Sequence, residues 1–290
     1  MRSRMQSKSG CISVHSRTHS GSKMVDGAAA EWNFRNTDAA SAESAGGMLR
    51  FSILNWSAWT PGRETRAAWC SWAGADHDGE ATAPAPALPM MLRRRLSPFG
   101  QRLVGAISDC AVGLPPARYI LSTRHGELTR AVTVLDAIAA DGMPSPTDFS
   151  MAIHHALLGL LSIHSGNRLG HTALSAGWDS FANGLLEAAS CIAERPGEPV
   201  ILVHGDDKLP SGYEAFREPD DAALPLVVAL ALGAPGGAPG RDVTLELAPA
   251  GADAGPAACM AADFLRFFLS NEPHARASGR RTQWIWRRVA

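Results

Sequence analysis

The sequence has few cysteines, and their spacing matches neither a metal site nor a redox pair. Among 290 residues only five are cysteine, and no two of them form a Cys-x-x-Cys motif. An odd, dispersed set of this kind is typical of reduced thiols in the cytoplasm rather than of a disulfide framework. None of the five has the local pattern of a catalytic nucleophile. They are Cys11, Cys70, Cys110, Cys191 and Cys259.

Long apolar runs and an excess of one charge are also missing. The best apolar run, residues 224–232, has the length of a core strand and falls well short of the ~20 residues that cross a bilayer. The formal net charge is -1, so the sequence lacks the concentrated basic excess of a nucleic-acid-binding protein. We therefore expect a cytoplasmic protein without a membrane span and without a nucleic-acid partner.

Apolar residues, by contrast, make up 46% of the chain, which is enough for one large core or two small ones. Residues 1–47 stand apart, because they are rich in Ser, Arg, Gly and Ala and their first acidic residue is Asp26. They lack apolar periodicity, a clear amphipathic helix and a secretory core. We expect a disordered tail or a start codon assigned too early, with Met48 as the true start; a transit peptide is the alternative.

From residue 51 onward, short apolar runs alternate with amphipathic patterns, which is typical of a layered α/β fold. The runs that predict strands are residues 51–54, 119–122, 172–174, 200–204, 226–232 and 243–247. The patterns that predict helices are residues 91–104, 127–140, 147–164, 176–193 and 261–269. Because strand and helix alternate, we expect parallel pairing. Residues 79–89 and 233–240, rich in Ala, Pro or Gly, are predicted to be linkers or loops.

The most informative motif is a tight turn between a short strand and an amphipathic helix. Residues 172–177 read Thr-Ala-Leu-Ser-Ala-Gly, and Asp179 follows where a helix dipole favours a negative charge. A thiol or hydroxyl in such a turn gains a lower pKa and backbone N–H donors for an oxyanion. Here the turn carries Leu174, and the Ser175 that follows fits a helix cap better than a nucleophile.

This turn resembles the active-site turn of β-ketoacyl synthases, in which a Thr, a small residue, the acyl-accepting residue, a small residue and Gly lead into a helix. In that pattern Leu174 occupies the place of the cysteine, and a leucine cannot form a thioester. Two further motifs support the resemblance, at residues 122–127 and 145–167. The chain looks like a member of the truncated ketosynthase-like family, which keeps mainly the N-terminal half of a thiolase-type fold.

The resemblance covers roughly residues 48–216 and implies the architecture. We expect a thiolase-like layered α/β fold, half of a ketosynthase, with a mixed sheet and helices on both faces. Residues 1–47 would be the tail, 48–232 the ketosynthase-like domain, and 233–290 a C-terminal segment that completes or flanks the sheet. The chain is too short to hold the ketosynthase's C-terminal half, which supplies two catalytic histidines and a lysine.

The resemblance also implies a function. Such proteins accompany a full-length ketosynthase as chain-length-factor-like partners in fatty acid or polyketide biosynthesis, notably of aryl polyene pigments. We expect a non-catalytic subunit of a β-ketoacyl synthase (acyltransferase) complex, without cofactor or metal, that pairs with that ketosynthase and meets an acyl carrier protein. Thr172 and Ala173 would lie at the partner interface. The residues expected to fill or line the acyl tunnel are Phe149, Leu157, Leu174 and Trp178.

Two other functions stay open. An α/β-hydrolase esterase would use Ser175, Asp207 and His274, which occur in that fold's order. Against it, the residues before the turn are polar, and no Gly-rich oxyanion loop lies upstream. The third is a stand-alone acyl-chain-binding protein, in which the same pocket works without a partner.

Two basic segments are candidate contact surfaces. The run at residues 91–95, with Arg102 beyond it, is either a face for the carrier protein or a solvated helix face. Near the C terminus, Arg280, Arg281, Arg287 and Arg288 flank Trp284 and Trp286. In a strand the two tryptophans would lie on one face, which would suit an exposed edge that docks a partner. His154 and His155 lack the Glu spacing of a helical zinc site.

Overall fold

An eight-stranded mixed sheet organises the chain. The computed structural model describes residues 48–75, 88–238, 240–251, 259–270 and 272–289. Across the sheet the strands follow the order β3-β2-β4-β5-β1-β6-β8-β7. Their bounds are β1 Leu49–Trp59, β2 Arg118–Ser122, β3 His171–Leu174, β4 Val200–Asp206, β5 Leu226–Gly233, β6 Asp242–Pro249, β7 His274–Ser278 and β8 Thr282–Arg288. The mixed sheet is confirmed; the predicted tail at residues 1–47 lies outside the described residues.

Only three neighbouring strands are parallel. β2 lies between β3 and β4 and is parallel to both, whereas every other neighbouring pair is antiparallel. The expected parallel pairing is therefore wrong outside β2, β3 and β4. Parallel neighbours need a long crossover, usually a helix. No α-helix lies between β4 and β5, and the loop at residues 234–241 joins β5 and β6, which both pair with β1.

Eight α-helices lie in the part of the chain that the structure describes. They are α1 Arg66–Ala73, α2 Met90–Arg95, α3 Pro98–Ala111, α4 Leu128–Ala139, α5 Pro146–Met151, α6 Ala156–Ser165, α7 Ser180–Glu194 and α8 Met260–Leu269. The single helices predicted over 91–104 and 147–164 are each two helices. A new helix starts at Pro98 because Ser97 caps it, its Oγ accepting from the amide of Gly100 at 2.8 Å.

Helices cover both faces of the sheet, as expected. One core lies under α7 and α8 and includes Phe181 and Phe264. The other lies under α3 and α6 and includes Ile107 and Leu158. Helix α7 approaches the strands closely at Gly184, where a Cβ would lie 2.8 Å from Leu202 and 2.9 Å from Ser122, so this position has no room for a side chain.

The C-terminal strand is internal rather than an exposed edge. β8 pairs with β6 on one side and β7 on the other. Trp284 and Trp286 do share one face, but both are buried, and Trp286 makes an edge-to-face contact with Phe264 of α8, 5.2 Å between ring centroids. The expected docking edge at these tryptophans is wrong because α8 covers them. Among the described helices, none is long and apolar enough to cross a membrane.

Candidate functional site

The candidate site lies where the three parallel strands end. The C-terminal ends of β2, β3 and β4 meet at one border of the sheet, which is where α/β proteins place their ligands. Strand β3 runs directly into the turn at Leu174, β2 into Thr123, and β4 into Asp206. The chemistry of the site therefore depends on these three turns.

A buried carboxylate holds the turn after β2. Asp206, only 3% exposed, accepts a hydrogen bond from Thr123 Oγ1 at 2.6 Å. It also accepts from the amides of Arg124 at 2.9 Å and His125 at 2.7 Å. Because a buried carboxylate is stable only when such donors surround it, Asp206 fixes the backbone of this turn.

The turn after β3 is equally well fixed. The carbonyl of Leu174 accepts from the amide of Thr123 at 3.1 Å, and Ser175 Oγ donates to the carbonyl of Arg124 at 3.2 Å. Gly177 takes the left-handed conformation, with φ of 59°. Ser180 Oγ accepts from the amide of Ala176 at 2.9 Å, so Ser180 rather than Ser175 ties down the start of α7.

Leu174 stands at the end of β3 with its side chain half-buried against the first core. The turn around it has the shape that presents a nucleophile, but the residue offers only hydrocarbon. An acyl group cannot be transferred to this position.

An ionic network covers the turn. Glu218 accepts from the indole of Trp178, and its Oε2 lies 2.6 Å from Arg124 Nη2. Asp221 Oδ1 lies 3.1 Å from His125 Nε2 and 3.6 Å from Arg124 Nη1. These contacts tie the segment between β4 and β5 down over the strand ends.

The C-terminal hairpin also reaches the turn. Arg280, between β7 and β8, places its guanidinium carbon 5.3 Å from the ring centroid of Trp178. Asp179, expected in the first turn of the helix, instead precedes α7 and binds this hairpin. Its carboxylate accepts from the indole of Trp284 at 2.7 Å and from the amide of Arg280 at 3.2 Å. The hairpin is thereby fixed to the start of α7.

The cavity left at the turn is small, about 40 Å³. An apolar cavity of about 150 Å³ is needed to hold benzene, so this one has room for water but not for an acyl chain. Its lining includes Arg124, Trp178, Phe181, His204, Asp206 and Cys259. Among the described residues, no three His, Cys, Asp or Glu side chains are grouped so as to hold a metal ion.

A second, open cavity of about 110 Å³ lies beside the turn after β2. Its lining includes Ser97, Glu127, Arg130 and Lys208. Burial raises the pKa of the Glu127 carboxyl above its ordinary value, although the hydrogen bond from Ser97 Oγ at 2.9 Å and the charge of Arg130 oppose the shift.

The four residues expected around an acyl tunnel lie apart. Trp178 lines the small cavity, and Leu174 packs on the first core. Leu157 is buried in the second core, and Phe149 on α5 is 61% exposed. Of the cavities described above, none is lined by more than one of the four.

The structure does not assemble the esterase triad. Ser175 follows β3 at one border of the sheet, whereas His274 begins β7 at the other and is exposed. The hydroxyl of Ser175 contacts a backbone carbonyl, and Asp207 accepts from the amide of Lys208 at 2.8 Å. The sequence order Ser, Asp, His is therefore a coincidence of position along the chain.

Thr172 and Ala173 lie on an edge strand. β3 pairs with β2 on one side, and no other described strand pairs with its second side. The carbonyls of Gly170 and Leu174 accept from the amides of Tyr119 and Thr123, at 3.3 and 3.1 Å. Because backbone groups alternate in direction along a strand, the N–H and C=O of Ala173 point to the open edge.

Sequence reasoning missed the acidic residues of the site. Asp206 lies one position before the Asp207 considered for the esterase, and a polar residue ending an apolar strand was a signal for it. Glu218 and Asp221 had no recognisable pattern, because they reach the turn from the segment between β4 and β5. Their contacts depend on the cover that this segment forms in three dimensions.

The layered fold and the strand-to-helix turn together define a thiolase-like protein of the ketosynthase type. The chain belongs to the family described as β-ketoacyl synthase, N-terminal domain, whose model matches residues 68–287. The match continues past residue 216, where the resemblance was expected to fade, and includes most of the C-terminal segment. No curated protein sequence matches the chain.

Solved structures of ketosynthase complexes share the fold. The chain is 28% identical, with a TM-score of 0.70, to a chain in the complex of the ketosynthase ApeO with its chain length factor ApeC from Xenorhabdus doucetiae. That similarity covers 83% of this chain and 100% of the other. The ishigamide ketosynthase/chain length factor is 13% identical, with a TM-score of 0.51, over 69% of this chain and 67% of that one.

A third similar structure is AntDE:AntF, a type II polyketide synthase acyl-carrier protein in complex with its ketosynthase. The identity is 14% and the TM-score 0.50, over 70% of each chain. At such identities the second and third similarities show the fold alone. Together the comparisons give this chain a fold of the ketosynthase and chain length factor type.

Proposed function

We propose that this chain is a non-catalytic, chain-length-factor-like subunit that pairs with a full-length ketosynthase. The observation that carries the proposal is the turn at Leu174, which keeps the architecture of a ketosynthase site and replaces its nucleophile with hydrocarbon. A fixed backbone without a reactive group has a structural role in an assembly rather than a chemical one. The partner would supply the condensing chemistry.

The cover over the turn supports a non-catalytic role. Trp178, Glu218 and Arg124 bind one another beside the start of α7, and the cavity of about 40 Å³ that Trp178 and Arg124 line admits no acyl chain. A stand-alone acyl-binding function has no room in that cavity. The tunnel would run along the surface shared with the partner, where Phe149 is exposed.

The open edge of β3 supports pairing. Its four residues, His171 to Leu174, carry no acidic or lysine or arginine side chain and no proline, so no permanent charge and no missing N–H on this strand opposes a further strand. Thr172 and Ala173 form the centre of the edge. The side of the chain beside it is also apolar, which is unusual for a surface that stays in water.

Six large apolar side chains are exposed on the segment from α4 to α6. α4 packs on α5, α5 on α6, and α6 on β3, so the segment adjoins the open edge. The exposed fractions reach 94% at Met143 and 82% at Ile163. We propose that the ketosynthase covers this segment, here called the α4–α6 surface. Its six side chains are Leu135, Ile138, Met143, Phe149, Ile153 and Ile163.

We further propose the cytoplasmic setting and pathway class. The similar structures include a ketosynthase bound to its chain length factor and an acyl-carrier protein bound to its ketosynthase. The pair formed by this chain would act on carrier-bound acyl groups in polyketide or fatty acid biosynthesis, of the aryl polyene type. The basic helix α2, with Arg93, Arg94 and Arg95 in its last turn, is a candidate contact for the acidic carrier.

The test is co-purification. The tagged chain is expressed in its native host and recovered at pH 8, and bound proteins are identified by mass spectrometry and size-exclusion chromatography. We expect a stoichiometric full-length ketosynthase. Acyl transfer from a carrier protein is then measured with each subunit alone, and only the ketosynthase should gain acyl mass. A monomeric chain without that partner, or acylation of this chain, contradicts the proposal.

A further inference from the structure

Two histidines stack beside the open edge of β3. His171 is the first residue of the strand and is half-buried, while His155 immediately precedes α6 and is exposed. Their ring centroids are 6.5 Å apart, with 27° between the ring planes. His171 Nδ1 also lies 3.4 Å from Ser162 Oγ, so the ring of His171 faces α6.

The backbone of His171 takes part in the same edge as Ala173. By the alternation along β3, the N–H and C=O of both residues point to the side that carries no strand. A strand added there would place its own side chains about 5 Å from the neighbouring side chains of β3. The two imidazoles therefore lie within reach of any partner that extends the sheet.

Other charged groups lie on the elements packed around the pair. β2 places Arg118 near Gly170, and Glu187 of α7 lies 3.5 Å from Thr172 Oγ1, on the opposite face of β3. Among these groups, His155 is the charge that acts on His171: burial first, and then His155, lower the pKa of His171 below its ordinary value. The charged or titratable side chains on α6 and the helices packed on it are His164, Arg93, Arg94, Arg95, Arg102, Asp109, Cys110 and Asp148.

We infer that His171, stacked on His155 beside the open edge, makes association with the ketosynthase sensitive to acid, so that the complex weakens as His171 becomes protonated. The inference rests on the proposed function, because it concerns the same edge. The six exposed apolar side chains of the α4–α6 surface indicate an apolar partner face. Such a face offers a protonated His171 no counter-charge, and burying that charge costs free energy.

The sign follows from linkage. An imidazole buried without a counter-charge binds its proton less readily than in the free chain, so the complex holds fewer protons than its separated subunits. Affinity is then fully present at neutral and higher pH, and it falls as the pH drops through the pKa of His171 in the free chain, which burial and His155 place below the ordinary imidazole value. Each proton that the free chain binds and the complex excludes lowers affinity by up to about tenfold per pH unit.

The experiment measures the dissociation constant of the complex between pH 8.0 and 5.5. The probe is the full-length ketosynthase that co-purifies with the chain. For the unchanged pair we expect affinity to fall several-fold across this range, within the limit of about tenfold per pH unit that one excluded proton sets. His171→Gln should abolish the fall, whereas His155→Gln, an exposed change that leaves the fold intact, should move it to higher pH, because His155 lowers the pKa of His171. His164→Gln should retain the fall in affinity, because His164 is an exposed histidine of α6 and has no ring partner among the described residues.

The outcomes separate the two proposals. If no complex forms at pH 8.0, the proposed function itself is wrong. If a complex forms at pH 8.0 and its affinity is the same at pH 5.5, or rises, this inference alone is overturned. A fall that persists unchanged in both His155→Gln and His171→Gln also overturns it, because the titrating group would then belong to the ketosynthase.

Discussion

The two edge strands of the sheet differ in charge and in their surroundings. β3, at one edge, has four half-buried residues without an acidic, lysine or arginine side chain, and it adjoins the apolar α4–α6 surface. β7, at the other edge, exposes His274 and Arg276. An edge that stays in water is commonly protected by charge, because an unguarded edge attracts other strands.

The β7–β8 hairpin is also held by contacts with other parts of this chain. Asp179 fixes the turn between β7 and β8, and Trp284 and Trp286 are buried under α8. β3 has no corresponding cover on its outer side among the described residues. Under the proposed function, this difference would make the chain specific for one partner geometry, with pairing at β3 and protection at β7.

The largest expected effect comes from a proline in the β3 edge. Ala173→Pro removes an N–H that points to the open edge and breaks no hydrogen bond within the chain, so the fold should survive. Loss of this central donor and of strand register should lower affinity for the ketosynthase at least about 100-fold, or ~2.7 kcal/mol.

Arg276→Pro is the matched control. Residue 276 also points outward, since the amide of Gly279 bonds Thr282 and that of Arg288 bonds Pro273, at 2.8 and 2.9 Å. Affinity for the ketosynthase should stay unchanged in this variant. Both variants are compared by isothermal titration calorimetry after circular dichroism confirms folding. Equal losses in the two variants would show that the edges are not distinguished as we describe.

The sequence alone predicted some features of the two edges and missed others. The period and composition of residues 119–122, 172–174 and 200–204 predicted β2, β3 and β4 within two residues of their bounds. Leu174 was recognisable because the turn motif is local. The pairing direction of β5 and the burial of Trp284 were not, since both depend on contacts between distant segments, as do the contacts of Glu218.

The next effect concerns stability rather than pairing. Asp179→Asn weakens the carboxylate bonds to the indole of Trp284 and the amide of Arg280, which hold the β7–β8 hairpin on α7. Hydrogen bonds to a charged group contribute about 1.5–3 kcal/mol, so the free energy of unfolding should fall by ~2 kcal/mol. Urea denaturation followed by tryptophan fluorescence measures it. An unchanged urea denaturation midpoint would mean that the packing of its buried side chains alone holds the hairpin.

A smaller effect is expected on the α4–α6 surface. Ile163 is 82% exposed, so Ile163→Glu should leave the isolated chain stable. In the complex it would bury a carboxylate against an apolar partner face and lower affinity about tenfold, or ~1.4 kcal/mol. Leu247→Glu is the control, because Leu247 is 44% exposed but lies on β6, in the other half of the sheet from β3. If the two variants bind equally well, the α4–α6 surface is not the contact.

The smallest expected effect tests the protection of β7 directly. Arg276→Val removes a charge from that edge and supplies a residue that favours strands. If charge is what keeps the edge unpaired, the isolated chain should self-associate slightly more at high concentration, a change well under 1 kcal/mol because His274 and the short strand still limit pairing. Affinity for the ketosynthase should not change, since β3 lies at the other border of the sheet. Sedimentation velocity over a concentration series measures self-association, and titration with the ketosynthase measures the affinity of the complex. A variant that bound the ketosynthase more weakly would place β7 in the interface. One that bound normally while self-associating would assign charge protection to β7 and partner recognition to β3.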